Sequence, residues 1–130
     1  MVKHKLAFEV LPITLGVCKI SPTQAIPQWA IQGEFFSVTK TTEELSIVCS
    51  EAVIPAGEIY EKGWRALKIV GILDFSLIGI LSVVSSVLAS SGVSIFAIST
   101  YNTDYILVRD KDLAVAVQSL SGEGYDILQA

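Results

Sequence analysis

The amino-acid sequence predicts an α+β fold of the ferredoxin-like βαββαβ type, in two tandem halves of which the first is incomplete. Three observations carry this. From Leu67 to Val108 the apolar period changes from strand to helix and back to strand. The C-terminal segment then adds a second helical stripe and a short strand. The N-terminal segment supplies strand, short helix, strand and strand, and stops at the turn-forming run Pro55-Ala56-Gly57-Glu58.

Taken in order, Leu6, Phe8 and Val10 alternate with Ala7, Glu9 and Leu11, the period of a strand. Pro12 removes a ladder donor, so an edge or bulge is expected there before the strand resumes from Ile13 to Ile20. Ser21-Pro22 reads as a helix N-cap with proline at the first helical position. Pro27 and Gly33 leave room for only a turn or two of that helix. Phe35 to Thr39 and Leu45 to Ser50 form a hairpin around Lys40-Thr41-Thr42-Glu43-Glu44, and Val53-Ile54-Pro55 ends it. Residues 1–60 are thus expected to be a truncated copy of residues 61–130.

In the second half, Leu67 to Leu73 reads as a strand running into Asp74-Phe75-Ser76. Leu77, Ile80, Leu81, Val84 and Leu88 then fall on one helical stripe, which Ser91-Gly92 stops. Val93 to Thr100 is the second strand, Tyr101-Asn102-Thr103 a turn, and Tyr105 to Val108 the third strand. Asp110 or Asp112 caps a second helix with apolar positions Leu113, Ala116, Val117 and Leu120. Ser121-Gly122-Glu123-Gly124 ends it, and Tyr125 to Leu128 is the last strand. These strands are expected in one antiparallel sheet with both helices on one face.

Composition narrows the function. The chain is 52% hydrophobic and only 17% charged, more apolar residue than 130 residues readily bury, which favours a homodimer. A net charge of −4 without any basic run argues against a nucleic-acid partner. Cys18 and Cys49 have no metal-type spacing and make no disulfide framework, so reduced thiols in the cytoplasm are expected. The 29 residues between Asp74 and Asp104 carry no formal charge. Interrupting serines, Gly92 and the lack of close flanking Lys or Arg nevertheless speak for buried helix then strand rather than a membrane span. No small-residue cleavage site follows the basic N-terminus.

Gly71 to Val108 resembles an ACT domain, the small regulatory βαββαβ module that binds amino acids in metabolic enzymes. The resemblance rests on acidic Asp74 after the first strand, Gly79-Ile80-Leu81 opening the helix, and Gly92-Val93-Ser94-Ile95 entering the second strand. Ser94 stands where the family usually has Asn, and Ile78 where a proline often precedes the helix glycine. Phe35-Phe36-Ser37-Val38-Thr39, Glu44-Leu45-Ser46-Ile47-Val48 and Ile98-Ser99-Thr100-Tyr101-Asn102-Thr103-Asp104 extend the likeness to small tandem-ACT proteins of bacteria. More distantly, the chain is similar to the cytosolic arginine sensors of animal cells.

Covalent catalysis has little support. His4 is the sole histidine, Cys18 and Cys49 fall in strand-like segments, and Glu43-Glu44 sits in a hairpin turn where polar residues are ordinary. No phosphate-cradling loop or metal-spaced carboxylate cluster occurs, so no cofactor, metal or enzyme activity is expected. The better-founded site is the strand-to-helix junction Asp74, Phe75, Ser76, Leu77, Ile78 and Gly79. Amide groups at a helix start suit an α-carboxylate, Asp74 an α-ammonium, and Gly79 presents no side chain to block backbone approach. Asp74 or Ser76 acting only as a helix cap, and Gly79 only as a packing glycine, are the plain alternatives. Ile98, Ser99 and Thr100 join the site if the second strand runs beside the first. Gly79, Ser82, Ser86 and Ala89 or Ser90 make a small-residue ridge suited to close packing. An amino-acid-binding regulatory protein and a ligand-free structural dimerisation module both fit these residues.

Overall fold

The computed structural model describes residues 6–71 and 79–129 of the 130-residue chain. Its strands are β1 (Leu6–Ile20), β2 (Ser37–Lys40), β3 (Leu45–Ser50), β4 (Tyr60–Gly71), β5 (Ile95–Ser99), β6 (Asp104–Arg109) and β7 (Asp126–Gln129). Helix α1 (Ile80–Ser90) precedes β5, and α2 (Leu113–Gly122) precedes β7. From β4 onward the order is βαββαβ, as the alternating periods predict. Two compact units result, Met1–Pro12 with Arg65–Ala130, and Ile13–Trp64.

The first unit buries one apolar layer between strands and helices. Leu6, Phe8 and Val10 of β1, Leu67 and Ile69 of β4, and Ile106 and Val108 of β6 face Val84 and Leu88 of α1 and Ala116 and Leu120 of α2. The strand residues alternate and the helix residues step by four, so a single face of each element suffices. Ile80, Leu81, Leu113 and Val117 pack at the margin of this layer. The Phe8 and Tyr125 rings meet edge to face, centroids 5.5 Å apart and planes at 84°, an arrangement worth about 0.5–1.5 kcal/mol beyond its burial.

Both helices stop in the same way. After α1, Gly92 N–H bonds the Ala89 carbonyl at 3.0 Å and Val93 N–H the Leu88 carbonyl at 2.9 Å. After α2, Gly124 N–H bonds Ser121 at 3.0 Å and Tyr125 N–H bonds Leu120 at 3.2 Å. Each is a Schellman turn, and Gly92 and Gly124 take the left-handed φ it requires, 76° and 96°. Asp112 is the N-cap residue of α2, following a 3-10 turn over Asp110–Asp112, but its side chain makes no capping bond.

In the second unit Cys18, Ile20, Leu45, Ile47, Cys49 and Ile54 close around Ala30. Gly16 is buried because a Cβ there would lie 2.5 Å from Ile54 Cδ1 and 2.9 Å from Tyr60 Cδ2. The expected hairpin forms as β2 and β3, with Val38 opposite Ile47. The helix expected from Ser21-Pro22 does not form. Ser21 Oγ lies 2.9 Å from Thr23 Oγ1, the Gln24 amide bonds the Ser21 carbonyl, and only a 3-10 turn at Gln28–Ile31 follows. Pro27, not Ser21, occupies its N-cap.

One expectation is met in part and another needs correction. β1 runs unbroken from Leu6 to Ile20, so the strand is not interrupted at Pro12, but the proline does fall between the residues that pair with β7 and those that pair with β3. Ala7 to Val10 pair with β7, and Leu15 to Ile20 with β3, so Pro12 falls where neither ladder needs its missing amide. The sheet is also not wholly antiparallel, because β7 pairs with β1 in parallel. The cause is that Leu6–Pro12, remote in sequence, lies beside β4 and takes β7 as its partner.

Candidate functional site

Asp74, Phe75, Ser76, Leu77 and Ile78 lie outside the described residues, so the site is built here from its flanks. On one flank α1 begins at Ile80, with Gly79 as its N-cap residue at φ 84°. The Gly79 carbonyl accepts the Val83 amide at 3.0 Å, the opening turn of the helix. A left-handed φ at this point explains the glycine: any L side chain would be strained, although a Cβ would meet nothing within 4 Å. The N-cap brings no side-chain acceptor, so it leaves the first-turn amides uncapped from that position. Gly79 itself is exposed.

On the other flank the β5–β6 hairpin is tightly pinned. Thr100 N–H bonds the Thr103 carbonyl at 2.8 Å, and Thr103 N–H bonds Thr100 Oγ1 at 3.2 Å. Thr103 Oγ1 then donates to the Ile69 carbonyl at 2.7 Å, fixing the turn against the C-terminal part of β4. The expectation that the second strand of this unit runs beside the first is overturned. The order is β4-β6-β5, so Ile98, Ser99 and Thr100 stand one strand further from β4 than supposed. They share an end of the sheet with the last residues of β4 only through the hairpin. Thr103 is the residue the sequence reading passed over. Its signal was the Thr100–Thr103 spacing across Tyr101-Asn102, which suits mutual side-chain to backbone bonds.

The remaining candidates are structural. Cys18 and Cys49 are buried and unbridged. Burial, with Cys49 and then Glu58 nearby, pushes the Cys18 thiol up to about 12, and burial also raises Cys49. Thiols so held are not nucleophiles. The amides of Glu43 and Glu44 both bond Thr41 Oγ1 at 3.1 Å, an ordinary solvated turn. Among the described residues no group of His, Cys, Asp or Glu is placed to hold a metal ion. None of their helices is long and apolar enough to cross a membrane. The small-residue ridge meets its neighbour within the unit: Ser86 and Ser90 border a cleft of about 410 Å³ shared with α2. There Ser91 Oγ and Ser119 Oγ stand 2.6 Å apart.

From β4 onward the described residues form a ferredoxin-like βαββαβ unit whose first helix starts at a glycine N-cap. Known proteins agree. The ACT domain profile matches residues 59–122, and a profile describing an N-terminal domain matches residues 14–57. The crystal structure of protein Atu0741 from Agrobacterium tumefaciens is 35% identical, with a TM-score of 0.93 over 98% of this chain and 96% of that one. The human cytosolic arginine sensor for mTORC1 subunit 1 is 33% identical over 105 residues, 72% of this chain. This chain spans only 32% of that curated relative's length. The regulatory subunit of aspartate kinase from Thermus flavus, at 14% identity and a TM-score of 0.63 over 92% of this chain and 98% of that one, shares the fold. The chain belongs to the ACT-domain family, a family of regulatory domains.

Proposed function

We propose that this protein is a non-enzymatic cytoplasmic regulator that binds a free amino acid and passes its presence on through its own assembly or a protein partner. The observation that carries the reading is the start of α1. Its first-turn amides have no side-chain acceptor from Gly79, and Asp74 and Ser76 stand six and four residues before Ile80 in the sequence. Amide groups at a helix start bind a carboxylate, and Asp74 supplies the charge for an ammonium. The ligand's carboxylate then meets the backbone of residues 76–79, and its ammonium meets Asp74. Ile98, Ser99 and Thr100, one strand removed from β4, are left out of this contact set. In this reading residues 1–60 are a truncated ACT-like region and residues 61–130 a complete unit that draws on Leu6–Pro12 for an extra strand. The functional form is a homodimer. Similarity to a protein named as an arginine sensor makes arginine the first ligand to try.

Calorimetry with each of the twenty free amino acids tests this, followed by the Asp74→Asn variant with whichever binds. Asn has nearly the shape and volume of Asp, so the variant removes the charge with little other change. Binding is expected to weaken by about 1.5–3 kcal/mol, the range for hydrogen bonds to charged groups. Unchanged affinity in Asp74→Asn places the ligand elsewhere. No heat with any of the twenty leaves a structural dimerisation module instead.

A further inference from the structure

Cys18 and Cys49 come from separate parts of the sequence and meet inside the smaller unit. The ladder between β1 and β3 is antiparallel, with Cys18 opposite Ile47 and Gly16 opposite Cys49. Residues two apart on a strand point to the same face, so the two cysteines are diagonal neighbours on one face. That face is the core: Cys18 is 1% exposed and Cys49 0%, and both pack with Ile20, Leu45, Ile47 and Ile54. Their side chains turn toward each other, and the Cys18 thiol donates a hydrogen bond to Cys49 Sγ. The bond acts oppositely on the two, holding the proton on Cys18 and easing its loss from Cys49. Both thiols are free. While the unit is closed, burial keeps both protonated and neither reacts, so their chemistry waits on an opening that admits water and an oxidant.

We propose that Cys18 and Cys49 are a redox pair, which closes into a disulfide between β1 and β3 when a small-molecule disulfide reaches the opened unit. Cys49 releases its proton to solvent, and its thiolate attacks one sulfur of the oxidant, breaking that S–S bond and expelling one small thiolate. Cys18 then loses its own proton and attacks the Cys49 sulfur, expelling the second small thiolate. The chain gives up two electrons and two protons, and the oxidant leaves as two thiols. The register supplies the proximity this second step needs, because the two sulfurs face each other whenever the ladder re-forms. The loop so closed holds about 30 residues, among them the 3-10 turn, β2 and most of β3. Tying it to β1 narrows the unfolded ensemble and favours the folded unit. The device is separate from amino-acid binding, whose residues lie outside this unit.

The test holds the reduced, full-length protein with oxidised glutathione in urea below its unfolding midpoint, then caps remaining thiols with iodoacetamide. Intact mass should fall by about 2 Da, with no glutathione attached and no cap taken up. Trypsin should release residues 6–19 joined to residues 41–62, the fragments that carry Cys18 and Cys49. Without urea the reaction should run at least about tenfold slower, since both thiols are then buried. The bridged protein should melt at least about 5 °C above the reduced one, and dithiothreitol should reverse the shift. Cys18→Ser and Cys49→Ser should each show no such mass loss and end as a mixed disulfide with glutathione. Fragment mapping of the wild type decides the matter even where a serine variant fails to fold. Glutathione left on one cysteine of the wild type with the other capped, a bridge between two chains, equal rates with and without urea, or a bridged protein that melts no higher than the reduced one would overturn the proposal.

Discussion

Gly16 and Cys18, two residues apart on β1, turn opposite physical constraints into measurable effects. At Gly16 the constraint is space. A methyl group would press on the Tyr60 ring and the Ile54 tip, both packed in the smaller unit. Gly16→Ala is expected to cost about 1–3 kcal/mol in urea denaturation, as overpacked cores do. At Cys18 the constraint is solvation. The folded chain holds this thiol's proton up to about pH 12, whereas the unfolded chain releases it near 9. Stability from this group is therefore complete below pH 9 and is lost as pH rises toward 12. One thiol gives a slope of about −1.4 kcal/mol per pH unit within that window. Cys18→Ala should flatten the decline by that amount, whatever its cost at neutral pH. Denaturation midpoints compared from roughly pH 9 to pH 11 read the slope. The sequence told that Cys18 and Cys49 are inert, because alternation put them inside strands. It could not tell why Gly16 is glycine, since Ile54 and Tyr60 reach it only through the fold. At Gly79 it suggested room for a ligand, while the left-handed backbone gives the residue a purely conformational reason to be there as well.

The elements themselves were mostly legible, and their stops best of all. Ser91-Gly92 and Gly122-Glu123-Gly124 mark helix ends because a Schellman turn needs a residue that tolerates positive φ just past the last turn. Gly92→Ala and Gly124→Ala should each destabilise the protein by about 1–2 kcal/mol, the cost of a left-handed conformation to an L residue. Gly122→Ala is the internal control. It lies within α2, has no positive φ and has open space around its Cβ, so a gain of about 0.5–1 kcal/mol is expected. Thermal melts of the three variants decide this, and equal losses at all three positions would refute the caps as the cause. What the sequence could not supply is neighbourhood. Periodicity shows that Val93 to Thr100 is a strand, but not that β6 separates it from β4. Likewise Pro12 looks like a break until the partners of β1 are known to change at that place.

For the molecule as a whole, the regulatory class was implied by the resemblance of Asp74, Gly79-Ile80-Leu81 and Gly92-Val93-Ser94-Ile95 to the ACT family, while composition spoke only against nucleic acid. If an amino acid binds the folded state alone, it stabilises that state by mass action, by about 2.7 kcal/mol at a hundred times its dissociation constant. A thermal-shift screen against the twenty amino acids should therefore show one or a few ligands raising the melting temperature and the rest leaving it flat. A flat response to all twenty at millimolar concentration would count against the sensor. Division of the chain was hard to read from local signals. The turn run at Pro55-Ala56-Gly57-Glu58 is real, with β4 starting at Tyr60 just after it. No local signal tells that Leu6–Pro12 groups with residues beyond Arg65. Its apolar alternation is the same whichever sheet receives it.

The pairing of β7 with β1 sets an order of events during synthesis. Ala7 to Val10 are made 119 residues ahead of their partners Asp126 to Gln129. Phe8 and Tyr125, edge to face in the finished layer, are likewise made far apart in time. Until then the ladder of Leu6-Ala7-Phe8-Glu9-Val10 toward β7 stays unfilled, even where β4 has already paired with β1. The smaller unit, Ile13–Trp64, has all of its residues in hand long before. A nascent chain halted shortly before residue 126 should consequently show a protease-resistant Ile13–Trp64 region and a cleavable N-terminal strand, protection of which arrives only when β7 has emerged.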